Sequence, residues 1–362
     1  MRDLTVLITG AGSPGVRGVM KCYRIGAGEE GRKIRLITCD MNGQAYGSHL
    51  ADAFYTVPPG SDPGFIKRVL EICRKEKPEL VVSGVDPELL PLAKAKPELE
   101  KLGAKVVLTS PQAIELSQDK ARLYEFFKGS KFVPKNIPVR TSQDFRKAVK
   151  SLGYPGSVVC FKPAFSYGSR GFRILKDTDR GEFLFKEKPN SVFMGFSEAM
   201  EILEDYEKKA GLPEMLVMEY LGGKEYTVDI LLKDGKPILT IPRERTVTKN
   251  GISVVGRIEK NGQVIETANA IARKLGLDYN ANLQLKYSGG VPKLIEVQPR
   301  LAGTTIACAG AGANLPYLGL KIALGEKFSA PAVKWGTVMK RFWEEVYTDG
   351  KKSWFYGIKD DY

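Results

Sequence analysis

Short apolar runs alternate with amphipathic stretches over the first third of the chain. Leu4–Thr9, Ile34–Cys39, Leu80–Ser83 and Lys105–Thr109 read as strands, and helical spacing puts Ile66, Val69, Leu70 and Cys73 on one face with charge on the other. This rhythm predicts βαβ units and a parallel sheet. Ser110 followed by Pro111 marks the start of a helix over Pro111–Lys128, with Asp119 and Lys120 in its middle. Beyond it, Pro134, Pro138, Pro155 and Pro163 punctuate the chain. Short β-type runs then follow at Val158–Lys162, Met215–Tyr220, Tyr226–Leu232, Ile238–Ile241, Asn282–Tyr287 and Lys293–Gln298, with helices near Ser197–Ala210 and Val264–Leu275. The second part is therefore expected to be α+β with mostly antiparallel strands. No repeat of roughly 20 to 50 residues is visible. Trp335–Tyr362 is aromatic and charged and fits neither period.

A chain of 362 residues fits two or three packed subdomains. With 43% hydrophobic and 27% charged residues, disorder and coiled coil are set aside. Apolar runs such as Val6–Ile8 fall far short of the roughly 20 residues that span a bilayer, so no membrane partner is expected. The chain enters a β-type run directly after Asp3, without a secretory pattern, which makes a cytoplasmic location the expectation. Five separated cysteines, none in a C-x-x-C pair, suggest reduced thiols, and a lone histidine, His49, argues against Ser-His-Asp and multi-histidine zinc chemistry. The formal charge of +13 admits nucleic acid or an anionic small molecule. Basic residues interleave with acidic ones, as in Lys67–Lys77, which is how a solvated helix face reads, so no nucleic acid is expected.

Gly10-Ala11-Gly12-Ser13-Pro14-Gly15 fits G-x-G-x-x-G between a strand and a helix, and Asp40 ends the second strand. On pattern this is a dinucleotide fingerprint, in which glycines let backbone approach an anion at a helix N-terminus. The plainer reading is a tight strand-to-helix turn with no nucleotide. Pro14 removes one N–H donor, and the chain supplies no dehydrogenase-like catalytic set.

The second part carries a different chemistry. Lys162 ends a β run and is followed by Ser166-Tyr167-Gly168-Ser169-Arg170-Gly171, a lysine plus a glycine-bounded loop suited to closing over phosphates, or else an ordinary hairpin loop. Glu219, Tyr220 and Leu221 precede Gly222-Gly223, and in the next strand Glu225, Thr227 and Asp229 share one face. In Leu294-Ile295-Glu296-Val297-Gln298-Pro299-Arg300, Glu296 and Gln298 project to one side, Ile295 and Val297 to the other. With Gln284 across a hairpin, these oxygens suit Mg²⁺, and Arg300 could neutralise a transferring phosphoryl group; the plain alternative is a strand with a polar outer face.

In this order, Asp119-Lys120, Phe161-Lys162-Pro163, the Gly168–Gly171 loop, Glu219–Leu221 with Glu225, Gln284 and Glu296–Arg300 resemble the ATP-grasp superfamily, and within it one ATP-binding half of the carbamoyl phosphate synthetase large subunit. The resemblance covers most of the chain. It implies an α/β and α+β architecture: a Rossmann-like pre-ATP-grasp domain over residues 1–115, an ATP-grasp fold over 116–330 with a small lid subdomain at about 155–222, and a C-terminal segment, 331–362, of no assigned role. It implies ATP and Mg²⁺ as cofactors. Lys120 and Lys162 would contact ATP phosphates, with Ser169 and Gly171 in the closing loop. Glu219 and Leu221 would hold the adenine, and Glu225 would meet the ribose. Gln284, Glu296 and Gln298 would bind Mg²⁺, the family usually having Asn where this chain has Gln298. Arg300 and Lys162 would be catalytic.

The function so implied is an ATP-dependent ligase that activates a carboxylate as an acyl phosphate for attack by an amine or other nucleophile, including a thiol. An NAD(P)-dependent oxidoreductase using Gly10–Gly15 and Asp40 is the alternative. A basic protein binding nucleic acid without catalysis is a third reading, against which the interleaved charge weighs. Partners would be a small-molecule carboxylate and nucleophile, and a homodimer would be usual for the superfamily. Arg243 and Arg245 are candidates for holding the carboxylate, and Ser13, Asp40, Asp86 and Glu88 for substrate choice.

Overall fold

A computed structural model describes residues 3–166, 170–177, 191–249, 251–349 and 352–355. The first strands are β1 (Leu4–Thr9), β2 (Ile34–Asp40), β3 (Ala53–Thr56), β4 (Leu80–Ser83) and β5 (Lys105–Val106), parallel in the order β3-β2-β1-β4-β5. Helices α1 (Val16–Glu29), α2 (Gly64–Glu76), α3 (Asp86–Lys94) and α4 (Lys96–Lys101) connect them. Leu7, Ile37 and Val81 pack with Phe65, Val69 and Leu89, while Val6, Ile8, Leu36 and Val82 pack with Val16, Met20 and Tyr23. Burial on both faces explains why these strands read as unbroken apolar runs. The strand order reverses between β1 and β4, the switch point at which open α/β sheets form a crevice beyond the strand ends.

The expected helix over Pro111–Lys128 is two helices, α5 (Pro111–Gln118) and α6 (Lys120–Phe126). Asp119 interrupts them in an extended conformation, with φ −100° and ψ 103°. Strands β6 (Asn136–Val139), β7 (Val159–Pro163), β8 (Arg173–Leu175), β9 (Phe193–Met194) and β10 (Met215–Glu219) form a second sheet in the order β6-β10-β7-β8-β9. Helices α7 (Ser142–Ser151) and Phe196–Ala210 cover it, with Phe145, Ala199 and Met200 packed against Phe161, Leu175 and Val217.

A third sheet is ordered β15-β14-β11-β12-β13-β16, from β11 (Glu225–Lys233), β12 (Lys236–Lys249), β13 (Ile252–Ile258), β14 (Tyr279–Ser288), β15 (Val291–Gln298) and β16 (Val338–Lys340). Helix Gly262–Lys274 starts at Asn261, whose side chain accepts from Val264 N. By compactness the chain divides into one unit of Met1–Glu115, Glu225–Gln284 and Val297–Tyr362, and another of Leu116–Lys224 and Leu285–Glu296. No helix among the described residues is long and apolar enough to cross a membrane.

Candidate active site

In the Leu116–Lys224 unit, Asp119 sets the position of Lys120. Its carboxylate accepts from the N–H groups of Ala121 and Arg122, both at 3.0 Å, and its backbone bridges Phe165. Lys120 N donates to Ala164 O at 3.1 Å, and its Nζ donates to Ser166 O at 2.8 Å. The Lys120 side chain is thereby buried at the start of α6, beside the segment that follows β7.

Lys162 lies near the end of β7, 7% exposed. Its Nζ donates to Tyr124 Oη at 3.3 Å and to Ile295 O at 3.2 Å, while the Tyr124 hydroxyl donates to Ile295 O at 2.8 Å. Burial pushes the Lys162 ammonium down from 10.5 to about 8, the Lys120 charge acts in the same direction, and Glu296 opposes both. Burial, with Glu296 next, raises the Tyr124 hydroxyl well above its ordinary range, which keeps it a donor at neutral pH. Two lysines thus share a low-dielectric region with the Glu296 charge, an arrangement that favours a polyanion.

Gly171, in the loop, has φ +75°, and a Cβ there would stand 2.7 Å from Pro163 Cδ, so only glycine fits without a shift. Ser169 lies outside the described residues. Glu219 ends β10; its Oε1 accepts from Lys135 N at 2.8 Å, and its carbonyl accepts from Cys160 Sγ at 3.6 Å. Leu221 is buried, and Lys286 Nζ sits 5.1 Å from the centre of the Tyr220 ring. In β15, Leu294 is fully buried while Ile295 and Glu296 are half-buried. The strand therefore departs from a simple polar outer face.

The remaining expected site residues belong to the first unit. Gln284 and Gln298 are half-buried on β14 and β15. Glu225 pairs with Arg245 Nε at 2.9 Å. Arg243, a candidate for holding the carboxylate, is fully buried in an ion pair with Asp229 at 3.0 Å, with Cys308 Sγ donating to the same carboxylate at 3.5 Å. Arg300 grips Asp86 with both prongs, Nε to Oδ1 at 2.7 Å and Nη2 to Oδ2 at 3.0 Å. Nearby on α3, the buried Glu88 carboxyl accepts from Thr9 Oγ1, and from Ser83 Oγ at 3.0 Å, at the ends of β1 and β4. Sequence reasoning missed Tyr124 as the partner of Lys162 and Asp86 as that of Arg300; neither pairing leaves a local spacing signal.

The glycine turn serves the chain itself. Gly12 N donates to Asp40 Oδ2 at 2.7 Å, so the acid that accompanies the dinucleotide fingerprint is engaged within the turn. A Cβ on Gly15 would lie 2.5 Å from Gly303 Cα, so this glycine allows backbone to pack on backbone. The oxidoreductase alternative gains no support from this arrangement.

Among the described residues, no group of three or more His, Cys, Asp or Glu side chains could hold a metal. The half-buried Glu296 carboxylate fits magnesium that arrives with phosphate, since that ion commonly keeps waters and takes one or two carboxylates plus substrate oxygens.

Two family models match parts of the chain: the PylC-like N-terminal domain over residues 6–107, and "ATP-grasp in the biosynthetic pathway with Ter operon" over residues 211–344. The carbamoyl phosphate synthase large chain of Pseudomonas putida is 24% identical over 338 residues, covering 92% of this chain and 28% of that protein. The C-terminal section of the Aquifex aeolicus large chain is 24% identical over 312 residues, covering 82% of this chain and 52% of its own length. The chain thus spans only part of the curated relatives it matches. In fold it is similar to N5-carboxyaminoimidazole synthetase from Staphylococcus aureus, complexed with ADP (TM-score 0.68, 14% identity, 94% of this chain and 83% of that one). It is also similar to biotin carboxylase from Campylobacter jejuni (TM-score 0.64, 15% identity, 91% and 73%). A PylC-like first domain, a matched ATP-grasp region and a common fold across nearly the whole length agree: the chain joins a PylC-like N-terminal domain to an ATP-grasp domain and resembles one half of the carbamoyl phosphate synthase large chain.

Proposed function

We propose that the protein is an ATP-dependent ligase that phosphorylates a small-molecule carboxylate and passes the acyl phosphate to an amine or another nucleophile. The observation that carries this reading is the buried Lys120 and Lys162 pair with Glu296 as counter-charge, joined to the ATP-grasp match over residues 211–344. Two ammonium groups close together out of water favour a polyanion beside them, and a triphosphate is one.

Lys120 and Lys162 then bind phosphate oxygens, and Ser169 and Gly171 are further contacts to the nucleotide. Glu219 and Leu221 line the adenine position and Glu225 the ribose. Glu296, with Gln284 and Gln298, holds magnesium, which when bound offsets phosphate charge. Arg300 donates to the phosphoryl group as it moves to the carboxylate. Catalysis is positioning and electrostatic stabilisation, which asks for no activated Ser, Cys or His. Residues 1–115 form the pre-ATP-grasp domain and 116–330 the ATP-grasp fold, with the lid at about 155–222. A cytoplasmic homodimer is the expected assembly.

Calorimetric titration with ATP and with NAD⁺, each with and without Mg²⁺, tests the reading. Mg-dependent ATP binding without an NAD⁺ response is expected; NAD⁺ binding without ATP binding would overturn it.

A further inference from the structure

We infer that Asp86 is the positioning residue for Arg300, so that the first residue of α3, at the switch point of the N-terminal sheet, sets the direction of the arginine proposed to act on the transferred phosphoryl group. The inference rests on that proposed role of Arg300.

Arg300 is fixed from three sides. Its backbone carbonyl accepts from Asn282 Nδ2 at 2.9 Å, and its own N–H donates to Gln298 O at 2.8 Å. Nη1 donates to Leu301 O at 2.9 Å, and the Nε and Nη2 edge is taken by the Asp86 carboxylate at 2.7 and 3.0 Å. Side-chain exposure is 12% for Arg300 and 13% for Asp86, so the pair is largely removed from water and from screening. A two-pronged contact fixes the plane of the guanidinium as well as its distance, which a single hydrogen bond does not. An arginine held in this way has already lost its rotamer freedom before any ligand arrives, and that is what makes an electrostatic catalyst effective.

Asp86 is itself fixed by the fold. It is separated from β4 only by Gly84 and Val85, and it begins α3 as an acidic residue in the first turn, where the helix N-terminus favours its charge. Glu88, two residues on, is buried and tied to Thr9 and Ser83, which pins this turn to the ends of β1 and β4. The pairing joins residues 214 apart in sequence and therefore depends on the folded unit.

The test compares affinity for MgADP with affinity for MgADP plus aluminium fluoride, a mimic of the phosphoryl group in transfer, by calorimetry. Arg300→Ala is expected to abolish most of the preference for the fluoride adduct. Asp86→Asn, which keeps the shape but loses the charge and one acceptor, is expected to reduce that preference by about tenfold to a hundredfold with MgADP affinity unchanged. Asp86→Glu should restore part of it. A purely structural role would instead lower the melting temperature and weaken both ligands alike, and that result would overturn the inference. So would full preference in Asp86→Asn when Arg300→Ala has lost it. If Arg300→Ala keeps the preference, or the unsubstituted protein shows none, the proposed role of Arg300 fails and the inference falls with it.

Discussion

Glu88 offers a direct measurement of how tightly the N-terminal sheet holds its switch point. The side chain is 5% exposed, and its carboxyl accepts hydrogen bonds from Thr9 and Ser83 with no cation beside it among the described residues. Burial raises it from 4.5 to about 7; the two hydroxyls pull it down and the charge of Asp40 pushes it up. Because the folded protein binds this proton more tightly than the unfolded chain, the stability it contributes is complete below 4.5 and is lost as pH rises through 7. The distance from 4.5 to about 7, at about 1.4 kcal/mol per pH unit, amounts to about 3 kcal/mol, most of it between pH 5 and pH 8.5. Glu88→Gln keeps an acceptor for the hydroxyls but cannot ionise. Urea unfolding of both proteins across that range should show the variant gaining on the natural sequence by about 2 to 3 kcal/mol as pH rises. A difference that stays constant with pH would mean that Glu88 titrates as an exposed carboxyl does, and the description of the switch point as a dry, braced turn would be wrong.

Three further outcomes are expected. MgATP affinity should fall as pH rises through about 8, where Lys162 loses its proton, and Lys162→Arg should flatten that profile because guanidinium keeps its charge; calorimetry at pH 7 and pH 9 decides. Glu296→Gln should remove the Mg²⁺ dependence of ATP binding, and retained dependence would take Glu296 out of the metal site. Gly15→Ala would drive a Cβ to 2.5 Å from Gly303 Cα, so thermal unfolding should report a loss of about 1 to 3 kcal/mol.

Elements whose physics is local were legible from sequence. Leu4–Thr9 and Leu80–Ser83 end where expected because both faces are buried and the apolar run is the whole strand. Lys236–Lys249 was visible only as Ile238–Ile241, since its second half, from Arg243 to Lys249, is mostly polar and is held by pairing with Ile252–Ile258. Asn136–Val139 and Ser142–Ser151 were hidden behind prolines and charge, and their order comes from packing on Val217 and Phe161. The break at Asp119 could not be read either. The residue is compatible with a helix interior on pattern alone, and only its bridge to Phe165 turns it into a cap.

The same division separates the candidate site residues from the contacts that hold them. Lys162 and Arg300 stand out in sequence because a lysine at a strand end and an arginine after Glu-x-Gln-Pro have few structural uses. Their partners do not stand out, because Tyr124 and Ile295 lie 38 and 133 residues from Lys162 and read as ordinary helix and strand positions. The glycine turn is the converse case. Gly10–Gly15 carries a strong local pattern, yet its most demanding steric requirement comes from Gly303, almost three hundred residues later, and its N–H at Gly12 is taken by Asp40. A fingerprint records that backbone must come close to something at that place; it does not record whether the something is a phosphate or another turn of the same chain. For this protein the buried charge of Lys120, Lys162 and Glu296 is therefore the better guide to chemistry, since a close approach has a steric explanation and two desolvated ammonium groups do not.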